Sequence, residues 1–249
     1  MFSAAVTGSL GASSSDQGAA LPNVVFRWDA GDWTLSGSDV TSIRNKTFSP
    51  GANMQNYGTR SVPRTSLSNG MPAWNTRLDV SGVTYSWTSA YTLPETLFNK
   101  GAVITVHAQT PTPNPDPTCI LSWGAPSGLS LNYLYGDDSG NIKLKLGGSD
   151  IISTASGVLT GSKIILVSWD MSLASGSRKA NIWTLAGGLL ASTSTSTGSI
   201  GTTGSMQAGA VSGLSVSPGV YSTVQICNEY VDEVMARSIL FRFAKSWKL

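Results

Sequence analysis

Charge is scarce in this chain. Only 12% of its 249 residues are Asp, Glu, Lys or Arg, and the formal net charge is +2. No basic stripe is present to follow a phosphate backbone, which argues against a nucleic-acid partner. Cysteine is scarcer still. Cys119 and Cys227 are the two in the chain, too few for a disulfide framework or a zinc set. Both sit in strand-like runs, CILSW and VQICNEY, and read as buried thiols, with a single bridge between neighbouring strands as the alternative. His107 is the one histidine. A Ser-His-Asp triad would have to use it, yet no G-x-S-x-G elbow accompanies it, so a structural role is expected. No apolar stretch approaches the roughly 18 residues of a membrane span. The N-terminal run lacks a basic n-region and an adequate apolar h-region, so it does not read as a signal peptide. No internal repeat is visible.

Gly, Ser and Thr are plentiful, and helical periodicity is rare, which favours strands and turns. The clearest stretch is Lys163–Asp170, KIILVSWD. Ile164 and Leu166 share one face, and Ile165, Val167 and Trp169 the other. A strand apolar on both faces belongs at the centre of a sheet, buried between two layers. The polar turn MSLASGSRK and a second strand, ANIWTL, make it a hairpin. LSLNYLYGDDSGNIKLKLGG reads as another, with Leu129, Leu131 and Tyr133 alternating before the turn and Ile142, Leu144 and Leu146 after it. Lys143 and Lys145 are expected to face water. AVITVHAQ alternates Ile104, Val106 and Ala108 against a polar-leaning face of Val103, Thr105, His107 and Gln109.

The remainder is more broken. A short strand, Val24 to Trp28, runs into an Asp-Gly turn. Residues 34–70 read as loops and edge strands, and Asn45-Lys46-Thr47 as a chance glycosylation match. Residues 71–87 hold short strands. TSAYTLPETLFNKG is a connection with a helical turn at Glu95–Phe98, and PTPNPDPT is a loop. Residues 191–219 are a Ser/Thr/Gly tract of weak strands and exposed loops. From Asp232 to Trp247 the spacing turns helical, with Ala236, Leu240, Phe243 or Ala244, and Trp247 on one face and Asp232 as the N-cap. The expected fold is an all-β, two-sheet antiparallel jelly-roll sandwich with a short C-terminal helix. Residues 1–22 form a flexible small-residue arm and residues 23–249 the sandwich.

The order of WDAGDW, ITVHAQ with CILSWG, LSLNYLYGDDSGNIKLKLGG, KIILVSWD with ANIWTLAGG, and a closing strand before DEVMARSILFRFAKSW resembles the concanavalin A-like lectin/glucanase superfamily. It is most similar to that superfamily's laminin-G-like and pentraxin-like modules. The resemblance spans residues 23–249. Ala186-Gly187-Gly188 departs from it by lacking the Asn-Gly turn expected after the second strand of the hairpin. Modules of this kind occur in virion proteins of tailed phages. The resemblance therefore implies a non-catalytic particle component: a capsid decoration, head fibre or tail adhesin, assembled in the host cytoplasm. Its arm would contact other virion proteins, and host-surface glycans are a candidate ligand. A start at Met and an end just after the helix suit that expectation, as does a charge-poor surface able to pack into a homo-oligomer. A free lectin module and a glycosidase or lyase with an atypical site are the alternatives. Fold alone does not choose among them.

Glycosidases of this superfamily place acids on alternate residues of one strand, aiming them at one face. Here the nearest set is Glu229, Asp232 and Glu233. The spacing is wrong, and a helix-start cluster is the better reading. Asp137, Asp138 and Asn141 offer hard oxygen ligands suited to calcium at a rim loop, but D-D-S-G-N is also ordinary hairpin-turn chemistry. No cofactor is expected. Trp28, Trp123, Trp169 and Trp247 read as core. Trp33, Trp74 and Trp87 lie near loops, where an exposed ring could take a sugar face, with partial burial as the plainer reading.

Overall fold

The computed structural model describes residues 21–37, 39–47, 53–57, 62–63, 65–66, 69–75, 86–93, 99–109, 118–123, 132–137, 139–155, 162–185, 188–195, 204–208 and 219–247. Among them the first half of the chain supplies β1 (Val24–Ser36), β2 (Asp39–Asn45), β3 (Met54–Tyr57), β4 (Val62–Pro63), β5 (Thr65–Ser66), β6 (Pro72–Asn75), β7 (Ser86–Leu93), β8 (Lys100–Gln109) and β9 (Thr118–Trp123). The second half supplies β10 (Asn132–Gly136), β11 (Ile142–Leu146), β12 (Ser149–Ser153), β13 (Ser162–Asp170), β14 (Arg178–Thr184), β15 (Gly188–Thr195), β16 (Gly204–Ala208), β17 (Gly219–Cys227) and α1 (Glu233–Trp247).

All pairings are antiparallel. One sheet runs β15-β14-β13-β8-β17-β1-β2. The other runs β3-β7-β16-β9-β10-β11-β12. β2 also pairs with β3, Ile43 opposite Met54, so the ladder turns the corner between the sheets. The short strands β4, β5 and β6 attach at the rim. This is the two-sheet sandwich with a terminal helix that the strand pattern predicts.

β13 sits where its two apolar faces require. Ile165, Val167 and Trp169 enter the core between the sheets, and Ile164 and Leu166 enter a second core beneath the helix. Alternation of side chains across a strand puts the two sets on opposite faces, and burial of both makes three layers. Aromatic pairs fill the inter-sheet core. Trp123 stacks on Trp169 at 5.1 Å between centroids and Phe26 on Trp28 at 5.3 Å. Such pairs contribute about 0.5–1.5 kcal/mol each beyond their buried area. Trp28, Trp123, Trp169 and Trp247 are all core residues, as read from their strand and helix patterns.

The neighbouring strand corrects one expectation. Val103 and Thr105 on β8 are buried, and the Thr105 hydroxyl donates to the Thr223 carbonyl at 2.9 Å. That face is covered because β8 lies between β13 and β17 and under the second sheet. Its threonine is a satisfied core residue, not part of a polar surface. The His107 backbone lies opposite Lys163 and Tyr221; its side chain is outside the described residues.

β1 corrects a second. Asp29-Ala30-Gly31-Asp32 reads as a turn, yet the strand runs through it. Gly31 has a φ of +93°, and the register with β2 shifts between Trp28 and Trp33. The positive φ makes a bulge inside a strand, letting β1 pair with β17 first and β2 afterwards. Asp29 is buried at the bulge, held by Arg27 at 2.7 Å, Lys46 at 3.3 Å and the Thr223 hydroxyl at 2.6 Å. A buried carboxylate persists when it is paired and hydrogen-bonded on this scale. Asn45 is also buried, its side-chain oxygen accepting from the Arg27 and Thr47 backbone N–H groups and the Thr47 hydroxyl. The Asn-Lys-Thr triplet thus helps hold the end of β2 against β1.

Two further stretches differ in register or extent. β7 continues through Leu93, across residues read as a connection; Glu95–Phe98 lies outside the described residues. In the β10–β11 hairpin Leu134 faces Leu144, and Tyr133 faces Lys145. Leu134 and Leu144 are both buried, as directly opposed residues share a face; the Tyr133 side chain is outside the described residues. That is a one-residue slip from the expected alternation, of which Leu129 and Leu131 lie outside the described residues. Of the expected arm, residues 1–20 also lie outside them, while Leu21 is 3% exposed and packs into the helix-side core. Residues 111–117 of the proline loop lie outside as well. β15 and β16 are the weak strands of the Ser/Thr tract.

The helix forms as its pattern dictates. Asp232 accepts the Met235 N–H at 2.9 Å as N-cap, and the buried face is Ala236, Ile239, Leu240, Phe243, Ala244 and Trp247. Ile239 adds to the face read from sequence. The Ser168 hydroxyl donates to the Val231 carbonyl at 2.7 Å, tying the helix entry to β13. The Asn69 amide donates to the Trp247 carbonyl at 2.9 Å, satisfying an orphan carbonyl of the last turn.

A polar cleft beside the terminal helix

A concave site of about 290 Å³ lies where the β14–β15 hairpin meets the start of the helix. Its floor and one wall are set by strand alternation. Lys179, Asn181 and Trp183 recur at every second residue of β14 and so project from one face. Across the ladder, Ser194 faces Lys179, Ser192 faces Asn181, and Leu189 faces Trp183, which brings the β15 side chains to the same face. Tyr230 and Glu233, at the approach to α1 and its first turn, form the opposite wall.

The chemistry of the cleft is mainly hydroxyl and amide. The Asn181 amide donates to the Tyr230 hydroxyl oxygen at 2.6 Å. Burial raises the Tyr230 pKa above its ordinary value, the Asn181 hydrogen bond works against that, and the Asp232 and Asp170 charges add to the rise. The phenol therefore keeps its proton at neutral pH. Trp183 is 1% exposed, closing the floor, and its indole N–H has no hydrogen-bond partner among the described residues. Leu189 is 40% exposed at the rim.

The residues singled out from sequence lie elsewhere and are not gathered into one site. Trp74 is fully buried and stacks on Tyr221 at 5.8 Å. Its ring is core, with no face left for a sugar, because β6 is drawn under the rim of β17. Trp33 is partly exposed and packs on the inter-sheet core near the β1 bulge. The Trp87 backbone pairs with Asn56 and Ala208, and its side chain is outside the described residues, as is Asp138. Asp137 and Asn141 sit together at the β10–β11 turn. Asp137 accepts the Ser139 and Asn141 backbone N–H groups at 3.0 and 2.9 Å and the Asn141 side-chain amide at 2.7 Å. The Lys143 ammonium meets the same carboxylate at 2.8 Å. Partial burial works to raise its pKa, but Lys143 and the two Asn141 bonds outweigh it and hold the carboxyl at about 2. Both carboxylate oxygens are thus turned onto the hairpin's own donors, which is turn chemistry and not an open calcium site. Among the described residues no cluster of three metal-ligating side chains occurs.

The acids near the helix are likewise engaged. Glu229 accepts from the Asn23 amide, Asp232 caps the helix, and Glu233 pairs with Arg237 at 2.6 Å, four residues on. Cys227 is a free, buried thiol, its sulfur donating to the Glu229 carbonyl at 3.3 Å; the Cys119 side chain is outside the described residues.

Sequence reading missed the cleft. Its residues come from two adjacent strands and a helix start, and each is an ordinary residue of its own segment. The one visible signal was the alternation of Lys179, Asn181 and Trp183, which sets polar groups beside an aromatic on a single face.

No family model and no curated protein sequence matches the chain. Solved structures do. Trypanosoma rangeli sialidase matches with a TM-score of 0.55 at 11% identity, over 90% of this chain and 33% of the sialidase. The same enzyme in complex with sialic acid matches with a TM-score of 0.52 at 13% identity, over 92% and 35%. The receptor-binding domain of botulinum neurotoxin type G matches with a TM-score of 0.53 at 11% identity, over 90% and 51%. The chain thus spans about a third of the sialidases and about half of the neurotoxin domain. At these identities the likeness shows a shared β-sandwich fold.

Proposed function

We propose that this protein is a non-catalytic glycan-binding sandwich that serves as a structural component of a tailed-phage particle, as a capsid decoration, head fibre or tail adhesin. The observation that carries the glycan part is the cleft between β14–β15 and the helix. It presents amide, hydroxyl and ammonium groups with the exposed Leu189 at the rim, a few placed polar groups beside a small apolar surface, which suits a sugar. That a sialidase of which about a third shares this fold has been solved with sialic acid is consistent with a saccharide ligand. The acids nearest the cleft serve caps and ion pairs, which supports the non-catalytic reading. The particle assignment rests on the resemblance to phage-borne modules, with residues 1–22 as the attachment arm and other virion proteins as partners.

A glycan array probed with the full chain and with Asn181→Ala tests the ligand. Binding that the substitution abolishes is the expected result, and an array without hits overturns the glycan reading. Co-sedimentation with particles, lost when residues 1–20 are deleted so that the buried Leu21 stays in place, tests the placement. Normal incorporation of the truncated chain would sink the arm's role.

A further inference from the structure

The hydrogen bond at the centre of the cleft has a direction. Asn181 Nδ2 donates to Tyr230 Oη, so the Tyr230 hydroxyl proton points away from Asn181 and is free for another acceptor. Asn181 Oδ1 accepts no hydrogen bond among the described residues, leaving an acceptor next to that donor. A third feature adjoins them. Leu189 stands at the rim with much of its side chain in water, directly across the ladder from the buried ring of Trp183.

A neighbouring donor, acceptor and small apolar surface are complementary to one group found on sugars. An acetamido substituent carries an N–H to donate to Asn181 Oδ1, a carbonyl to accept from Tyr230 Oη, and a methyl to cover Leu189. The parent hexose carries a single hydroxyl in its place, which lacks the separate N–H donor and carbonyl acceptor of the acetamido group and leaves Leu189 exposed. We propose that the cleft recognises N-acetylated amino sugars through this acetamido group, an inference that rests on the glycan-binding reading above. The Tyr230 hydroxyl and Asn181 are then specificity residues, and the Ser192 and Ser194 hydroxyls opposite Asn181 and Lys179 serve the ring hydroxyls that all hexoses share.

The test is titration of the full chain by NMR with N-acetylglucosamine and N-acetylgalactosamine against glucose and galactose. Two hydrogen bonds and a methyl contact predict an acetylated sugar bound about tenfold or more tightly than its parent. Tyr230→Phe should erase most of that preference. Leu189→Ser, at an exposed position that does not threaten folding, should reduce the preference a few-fold. Equal affinity for acetylated and parent sugars, or a preference untouched by both substitutions, overturns the inference. If other saccharides bind on the array but no N-acetylated sugar does, this inference fails and the glycan reading stands. If no saccharide binds, both fail.

Discussion

Gly101 and Trp169 face each other across the β8–β13 ladder, and the indole occupies the space a side chain at 101 would need. A Cβ built on Gly101 would lie 2.9 Å from Trp169 Cζ2 and 2.9 Å from the Cys227 carbonyl oxygen. One obstacle is backbone and the other a ring locked by its stack on Trp123, so neither yields at low cost. The glycine is what allows this tryptophan to lie flat in the inter-sheet core.

Gly101→Ala should therefore destabilise the fold by about 1–3 kcal/mol, the range for overpacking, read as a lower urea midpoint at unchanged slope. Trp169→Phe shortens the ring system at the contact. The double variant should lose less than the sum of the two singles, since residues in contact couple. Strict additivity would mean that the clash with Trp169 is not what Gly101 avoids.

The β10–β11 turn should be acid-sensitive. Asp137 is held at about 2, against an ordinary value of 3.8. A carboxyl whose folded pKa is depressed contributes stability above its unfolded pKa and loses it as pH falls through the folded one. The contribution should be intact above pH 4 and fade between about pH 4 and pH 2. Thermal melts of wild type and Asp137→Asn should converge over that window and stay separated at pH 7. A separation independent of pH would refute the charge-based account.

The helix N-cap should carry an ordinary capping energy. Asp232→Ala removes the acceptor for the Met235 N–H and should cost about 0.5–2 kcal/mol, with Asp232→Asn or Asp232→Ser recovering most of it. Chemical denaturation of the three variants checks this. No rescue by Asn or Ser would shift the role of Asp232 from cap to charge.

Cys227 should be inert in the native protein. Burial pushes its thiol up to about 11, outweighing its hydrogen bonds with the backbone of Glu229 and Ala102, which lower it. In a Cys119→Ser background the native chain should show no reaction with a thiol reagent at pH 8, and one equivalent after denaturation. Fast native labelling would contradict the burial of Cys227.

Much of the fold was legible because burial leaves a period in the chain. KIILVSWD is apolar at every position from Ile164 to Val167, and only a strand covered on both faces requires that. The helical face of Ala236, Leu240 and Trp247 was equally clear, as was the Asp232 cap. Legibility failed where one local signal serves two structures. Asp-Gly at Asp29–Gly31 suits a turn or a bulge, and the choice depends on β17 and β2 lying on either side to continue the ladder. Tyr133 and Leu134 are both apolar enough for a core, and their register was set by Leu144 across the hairpin. Trp74 near a loop reads like an exposed ring until Tyr221 is placed beside it.

The amino-acid sequence by itself determined the strand-rich class, the central strand, the closing helix and the chemistry of the β10–β11 turn. These depend on contacts within a few residues, or on an alternation that one segment displays alone. Tertiary structure alone decided the cleft. Asn181, Leu189 and Tyr230 are separated by up to 49 residues, and nothing local marks them. They meet because β14 and β15 pair, and because packing of α1 on the outer face of the sheet brings Tyr230 to the hairpin. A site assembled from three segments has no period of its own, so it becomes visible only when the layers are in place.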